Sequence, residues 1–389
     1  MKRIDRRGFL KTSVAGAAGI TVFNSLTGQP SALEGKTITR TLGKTGIVLP
    51  VISFGVMNAD NPNLCKAAYE QGIKLFDTAN RYQNGNNEIM LGNLFSKYPR
   101  DSFHISTKIK PDMDNEGRPT RMASEEDFIQ RFGVSLTRLK TDYVDILYIH
   151  DVRHVSMLEH KPVMNALKKL KSQGKVRFVG FSTHVNEPVV INAASEMDLF
   201  DVILTSYNYM QTYADKVTEA IHKAARSGIG IVAMKTIAGG GFLDRAKTRP
   251  VNTSASIKWV LSNQDVCTTI PGMTDFSHLE QNVKLLTDIT LSESEKKDLI
   301  ATANKPGFFC TECTNCLKQC SKKLPVNDLV RAYMYAYGYS DISMASSLLS
   351  ELNVGVDPCR DCGECRVQCT KRFNVRERIS DVTSTFPIV

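Results

Sequence analysis

From residue 36 to 302, short apolar runs alternate with stretches whose apolar residues recur at helical spacing. The runs 51–57, 74–80, 103–109, 144–150, 176–183, 202–208, 230–236 and 268–273 are mostly rich in Val, Ile and Phe. All are too short for a helix, so they predict strands. Between them, Glu88–Tyr98, Glu125–Lys140, Leu158–Gln173, Lys216–Arg226 and Ser277–Leu286 predict helices. Gly174 and Gly228 stand where a helix end takes a left-handed residue. Eight such alternations predict an α/β fold, a (β/α)8 TIM barrel. Thr37–Pro50, with Gly43-Lys44-Thr45-Gly46 in its middle, reads as a hairpin before the first strand.

The pattern changes after residue 302. Eight cysteines repeat one spacing, C-x2-C-x2-C-x3-C: Cys310, Cys313, Cys316 and Cys320, then Cys359, Cys362, Cys365 and Cys369. Such runs hold [4Fe–4S] clusters, so two copies imply two clusters. Four-thiolate zinc is the other reading. Disulfide frameworks do not repeat a cluster run in tandem. Leu324–Tyr337 and Ser343–Leu352 read as helices, making 303–389 a small, mainly helical iron–sulfur domain. Cys65 and Cys267 stand alone and read as small buried hydrophobes.

At 389 residues, with 42% hydrophobic and 23% charged, the chain has room for two domains, and no apolar run is long enough for a membrane span. The formal charge of +9 suggests nucleic acid only at first sight. Lys2, Arg3, Arg6, Arg7 and Lys11 against Asp5 supply part of it, and cluster thiolates lower the rest. No basic stripe interleaves with aromatics, so no nucleic-acid partner is expected.

Asp5-Arg6-Arg7-Gly8-Phe9-Leu10-Lys11 precedes the mildly apolar run Thr12–Phe23. This resembles a twin-arginine signal peptide spanning 1–33. It implies export to the periplasm or beyond, as a folded protein carrying clusters already inserted. Pro30-Ser31-Ala32 is the best cleavage candidate, and retention as a membrane tether is the alternative.

Barrel enzymes place their chemistry where strands end. Here those ends read Phe76-Asp77-Thr78-Ala79-Asn80-Arg81-Tyr82, Ser106-Thr107-Lys108 and Ile149-His150-Asp151. A tyrosine hydroxyl donates a proton to a carbonyl oxygen once a nearby ammonium lowers its pKa. Lys108 is expected to supply that charge, Asp77 to hold Lys108, and His150 to orient the carbonyl or relay the proton. His154 and His184 follow strands four and five and are candidates for the pocket wall or for plain surface positions.

Asp77-x4-Tyr82, with Lys108 and His150 at the next two strand ends, resembles the aldo-keto reductases through residues 36–290. The likeness includes Gly174-Lys175-Val176-Arg177-Phe178-Val179-Gly180-Phe181-Ser182 and Ile270-Pro271-Gly272. It implies an NAD(P)(H) site without a Rossmann fingerprint. Ser182 and Thr183 would meet the carboxamide, and Gly272–Asn282 the adenosine end, with Gln281 and Asn282 at the adenine. NADP-preferring members carry Lys-Ser after Ile-Pro and an Arg six residues after that Lys. This chain has Gly272-Met273 there, and His278 in place of the Arg, which favours NAD. The family's Gln on strand six is Leu204, and its Tyr under the nicotinamide is Met234, followed by Lys235.

The C-terminal spacing resembles the all-helical two-cluster ferredoxin domains, in which the fourth cysteine of each run crosses over. That implies one cluster on Cys310, Cys313, Cys316 and Cys369, and the other on Cys320, Cys359, Cys362 and Cys365. Ser321 and Thr370 replace the proline that usually follows each run. The sequence thus reads as an exported oxidoreductase acting on a carbonyl or alcohol substrate, with electrons passing through the clusters to or from an external redox partner. The alternative is an electron-transfer or nucleotide-sensing protein whose barrel only docks a partner.

Overall fold

The computed structural model describes residues 35–114, 116–237, 251–303, 310 and 313–386. The signal-like stretch 1–33 lies outside the described residues. A hairpin of β1 (Thr39–Thr41) and β2 (Val48–Pro50) comes first, paired antiparallel. Eight parallel strands follow: β3 (Phe54–Gly55), β4 (Leu75–Asp77), β5 (His104–Ile109), β6 (Val144–Ile149), β7 (Val176–Thr183), β8 (Val202–Ser206), β9 (Gly230–Met234) and β10 (Val266–Thr269). They are ordered as in the chain, and the bridges Ile52–Thr269 and Gly55–Gly272 join first to last. Each expected strand is present; β7 keeps the expected bounds and the others are shorter. In the first run, Phe54–Gly55 pairs with β4, while Val51 and Ser53 exchange backbone hydrogen bonds with Thr269 of β10.

The helices around the barrel are α1 (Pro62–Glu70), α2 (Asn86–Phe95), α3 (Glu125–Leu139), α4 (Val155–Leu158), α5 (Lys161–Ser172), α6 (Glu187–Ala194), α7 (Ala214–Arg226), α8 (Thr253–Ser262), α9 (Phe276–Lys284) and α10 (Glu293–Ala303). The helix expected over Leu158–Gln173 is α5, which starts later, with Pro162 in its first turn, and the short α4 precedes it. Gly174 and Gly228 take φ of 69° and 81° just past α5 and α7, as expected of helix ends.

The hairpin plugs the bottom of the barrel. Leu42, Ile47 and Leu49 pack with Leu75, Ile146, Tyr148, Val202, Leu204 and Val232 in one buried cluster. Burial on both faces explains why these strands read as continuous apolar runs. Gly43 permits the plug: its φ is 50°, and a Cβ there would lie 2.3 Å from the Gly230 nitrogen.

A buried carboxylate ties the outer edges of β5, β6 and β7 together. Asp145 accepts from Arg100 Nη2 at 2.7 Å, the Ile105 amide at 3.0 Å and Arg177 Nη1 at 2.8 Å, and pairs with His104 Nδ1 at 3.0 Å. Burial pushes its carboxyl up, but the His104 hydrogen bond and the Arg100 charge outweigh burial and bring the pKa to about 2. The stabilisation is therefore present above the unfolded value near 3.8 and is lost as pH falls through about 2. We expect Asp145→Asn to cost roughly 2–3 kcal/mol at neutral pH. In urea unfolding, the difference from wild type should narrow as the pH is lowered below 4, roughly the unfolded carboxylate value.

Beyond the barrel come α11 (Val326–Tyr333), a π-helical turn over Met334–Gly338, α12 (Ile342–Leu352) and α13 (Val375–Thr385). α11 with the π-helical turn falls on the helix expected over Leu324–Tyr337, and α12 on that expected over Ser343–Leu352. The helix over Val375–Thr385 was not foreseen, although Asn374 caps it by accepting from the Glu377 amide at 3.2 Å. These helices share a core of Leu329, Val330, Leu349, Val375, Ile379 and Val382. No helix among the described residues is long and apolar enough to cross a membrane.

Candidate active site and thiol clusters

The four strand-end residues converge. Asp77 ends β4, Lys108 lies in β5, and His150 follows β6. Tyr82 reaches the same place from the loop after β4, where Gln83 and Asn84 take φ of 50° and 54°. Lys108 Nζ donates to Asp77 Oδ1 and, at 2.7 Å, to the Thr78 carbonyl. Ser106 Oγ donates to Asp77 Oδ2 at 2.6 Å. Lys108 Nζ lies 4.8 Å from the Tyr82 ring centroid, and the Tyr82 and His150 rings meet edge-on at 5.8 Å.

The electrostatics differ from expectation in one respect. The Tyr82 phenol is pushed well above its ordinary value, first by burial and then by the carboxylates of Asp77 and Asp151. Lys108 does not offset this, because its charge is neutralised by Asp77 in direct contact. Burial lowers the Lys108 ammonium and raises the Asp77 carboxyl, and each partner opposes the shift in the other. Burial and the Lys108 charge hold His150 well below its ordinary value, so its imidazole is neutral. His150 Nδ1 is buried without a hydrogen-bond partner among the described residues. The site therefore offers a protonated phenol and a neutral imidazole, two groups suited to a carbonyl oxygen.

Above the four lies a cavity of about 510 Å³, within the usual range for a small-molecule site. The barrel supplies its floor, and α11, the π-helical turn and α12 supply its roof through Arg331, Met334, Tyr335, Tyr339 and Met344. The roof is pinned to the Tyr82 loop, where Asn84 Nδ2 donates to Ser343 Oγ at 2.9 Å and Arg81 pairs with Glu351. A buried ion network joins the two sides. Arg153, just after β6, donates to Asp151 Oδ2 at 2.7 Å and to Asp328 Oδ2 of α11 at 2.9 Å. Arg331 of α11 lies 3.5 Å from Asp328. Sequence reasoning noted Asp151 at a strand end without giving it a role, and passed over Arg153, Asp328 and Arg331. The one available signal was an Asp and an Arg, i to i+3, in the mostly apolar Val326–Tyr333.

The nucleotide candidates divide. Ser182, Met234, Lys235 and Gly272 line the cavity. Ser182 Oγ accepts from the Asp151 amide at 3.0 Å, leaving its own hydrogen to donate. These four suit the nicotinamide end. Thr183 does not join them: it is buried, and its hydroxyl donates to the Val185 carbonyl at 3.1 Å. Met273 is fully buried outside the cavity wall. His278, Gln281 and Asn282 sit on α9, also outside that wall. His278 pairs with Asp275 at 3.3 Å, and Gln281 accepts from Thr253 at 3.4 Å. Leu204 belongs to the buried core. Of the two further histidines, His184 lines the cavity, whereas His154 is exposed and caps α4 by accepting from the Ser156 amide.

The C-terminal cysteines surround two smaller cavities. Cys310, Cys313, Cys316 and Cys369 line one, and Cys320, Cys359, Cys362 and Cys365 line the other. Each set takes three thiols from one run and the fourth from the other. No disulfide joins the cysteines among the described residues. Burial and then Cys313 push Cys316 up to about 11; burial and then Cys362 push Cys359 up to about 11. Thiols packed this way ionise together only when a cation takes their charge, which is what iron in a cluster does. Thr370 Oγ1 comes within 3.3 Å of Cys313 Sγ, and the Lys371 amide donates to Cys369 Sγ at 3.3 Å. Hydrogen bonds of this kind tune cluster sulfurs. The residues present therefore fit two [4Fe–4S] clusters. Cys310 lines both its thiol cavity and the cavity above Tyr82.

Barrel, strand-end residues and thiol sets define an α/β-barrel oxidoreductase joined to an iron–sulfur module. The model of the Aldo/keto reductase family matches residues 55–254, over half of the 389 residues, and the chain belongs to that family. A 4Fe-4S dicluster domain matches residues 309–373. The chain is 26% identical to L-galactose dehydrogenase of Arabidopsis thaliana over 66% of its own length and 92% of that protein's. It is 29% identical to D-threo-aldose 1-dehydrogenase of a Pseudomonas species over 50% of its length and 68% of the relative's. An aldo-keto reductase structure from Bacillus halodurans superposes with a TM-score of 0.57 at 20% identity, covering 71% of this chain and 99% of that one. That likeness establishes the fold.

Proposed function

We propose that this protein interconverts an alcohol and a carbonyl, on a sugar or small aldehyde, with a bound nicotinamide nucleotide, and exchanges the electrons through its two clusters. The observation that carries this reading is Cys310, which borders both the Tyr82 cavity and a four-thiol set. Two relatives named as sugar dehydrogenases support the substrate class. The nucleotide supplies or accepts hydride. Tyr82 donates its proton to the carbonyl oxygen in reduction, neutral His150 orients that oxygen, and Asp77 holds Lys108 in place beneath the ring. Ser182 and Gly272 seat the carboxamide end. Each hydride corresponds to two electrons and one proton, so the two clusters held by the cysteine sets would relay one electron each to or from an external redox partner, and the proton would exchange with solvent.

Redox titration of the anaerobic protein tests this reading. Adding nucleotide and an aldose should change the cluster absorbance and paramagnetic signals. Clusters indifferent to both would sink the electron-transfer link.

The crossed thiol sets make a separate prediction. Cys369→Ala should damage the cluster held by Cys310, Cys313 and Cys316 and spare the other, and Cys320→Ala should do the reverse. Iron content with the paramagnetic spectrum of each variant decides it. If each substitution destroyed the cluster of its own run, the assignment would fail.

Export by the twin-arginine route is also our proposal, supported by Arg6-Arg7 ahead of a short apolar run. Replacing both arginines by lysine should leave the protein in the cytoplasmic fraction, and unchanged fractionation would refute it. NAD is favoured over NADP, because His278 and Gly272-Met273 leave no fixed pair of cations for a 2′-phosphate.

A further inference from the structure

The two thiol sets are not equivalent. The difference begins at the residue after each cysteine run, where Thr370 and Ser321 stand. Thr370 Oγ1 lies 3.3 Å from Cys313 Sγ. A thiolate bound to iron carries no hydrogen, so the hydroxyl is the donor. The next residue adds a second donor, since the Lys371 amide reaches Cys369 Sγ at 3.3 Å. Both bonds fall on the set of Cys310, Cys313, Cys316 and Cys369. The turn that aims them is fixed at both ends. The Gln368 amide donates to Gln319 Oε1 of the other run at 2.7 Å, and the Arg372 amide closes back on the Cys369 carbonyl at 2.8 Å. Ser321 is exposed, and among the described residues no such donor reaches a sulfur of Cys320, Cys359, Cys362 or Cys365.

The fixed charges differ in the same sense. Lys371 is only 8% exposed, and Cys313 and Cys369 are the anionic groups that act on its ammonium. Its counterpart after the first run, Lys322, is exposed and turns away, its Nζ donating to the Pro358 carbonyl at 2.9 Å. Around the second set the carboxylate of Asp357 acts on Cys359, and Glu364 lines the cavity with Arg366 and Arg376, so opposite charges offset each other. Solvent at the exposed Cys365 favours reduction of the second set. Water must reorient as charge arrives, however, whereas a buried ammonium and two aimed donors are already in place.

We propose that the Thr370 hydroxyl and the Lys371 side chain raise the reduction potential of the cluster on the Cys310 side above that of its neighbour, so that the first electron to enter the module is held beside the Tyr82 cavity. Reduction adds one electron and one negative charge; no bond forms or breaks at either residue, and Thr370 keeps its proton. Any one-electron donor of low enough potential serves, so the order of reduction is independent of the substrate.

Potentiometric titration of the anaerobic holoprotein with dithionite, read by paramagnetic spectra, tests the proposal. Wild type should show two one-electron waves. Cys320→Ala, which keeps only the cluster on the Cys310 side, should retain the more positive one. Lys371→Met should lower the reduction constant of that wave tenfold or more, about 59 mV for one electron, and leave the other wave in place. Thr370→Val keeps the shape of the side chain and should lower the same constant about threefold, the effect of one modest hydrogen bond. Thr370→Ser should keep the wild-type value. Iron content checks occupancy in each variant, and if Lys371→Met loses iron, Thr370→Val against Thr370→Ser decides. A single unresolved wave, survival of the more negative wave in Cys320→Ala, or waves that neither Lys371→Met nor Thr370→Val moves would overturn the proposal. So would equal shifts of both waves, which a general loosening of the domain would produce. Two ordered waves in a protein whose clusters ignore nucleotide and aldose would leave the tuning intact and remove the electron-transfer link to substrate. A single wave in a protein whose clusters respond to both would do the opposite.

Discussion

Tyr82→Phe will reduce turnover by about 10²–10⁴-fold while both clusters remain at full occupancy. The variant keeps the ring that meets His150 edge-on at 5.8 Å and covers Lys108 at 4.8 Å, and removes only the hydroxyl. Packing is preserved, so the loss should appear in kcat with little change in melting temperature. The raised phenol adds a pH signature. Burial, Asp77 and Asp151 keep Tyr82 protonated through neutral pH, so it begins each reduction as an acid. The rate of carbonyl reduction should show no alkaline decline until beyond about 10, the ordinary tyrosine value. A decline centred near neutrality would mean that Lys108 does lower the phenol. Unimpaired turnover in Tyr82→Phe would remove the catalytic assignment altogether.

The second large effect is expected at the seam. Asp328→Ala removes the carboxylate that Arg153 and Arg331 share, in a site where both side chains are at most 8% exposed. Breaking a buried pair by removing one partner costs roughly 3–5 kcal/mol, chiefly because the remaining charge stays desolvated. The penalty should fall on the join between roof and barrel. Hydrogen exchange should accelerate in α11 and in the segment after β6 before it does so in β7 or β8. Equal protection of α11 in wild type and Asp328→Ala would show that the network contributes nothing to docking.

How much of this was legible beforehand varied with the length scale of the interaction. Strand-end residues such as Asp77, Lys108 and His150 were readable because a barrel sends every strand end to one mouth. The crossed cysteine sets came from resemblance, and the thiol cavities match them. Thr183 and Met273 stay off the cavity wall because a one-residue step in extended chain reverses the face a side chain leaves from. Ser182 enters the cavity, whereas Thr183 satisfies its hydroxyl against Val185. The Tyr82 electrostatics differ from expectation for another reason: a charge on the neighbouring strand matters only after its own partner has been counted, and Lys108 is matched by Asp77.

Local pattern alone determined that this chain is a barrel followed by a cysteine-rich module, because apolar periodicity and ligand spacing are encoded within a few residues of one another. It also named the four residues at the mouth. Only the tertiary structure decided that the module roofs the mouth, that Cys310 belongs to two cavities, and that Arg153 meets Asp328 across 175 positions of chain. Such contacts depend on which surfaces meet when two cores dock, and no spacing along a single strand or helix records that.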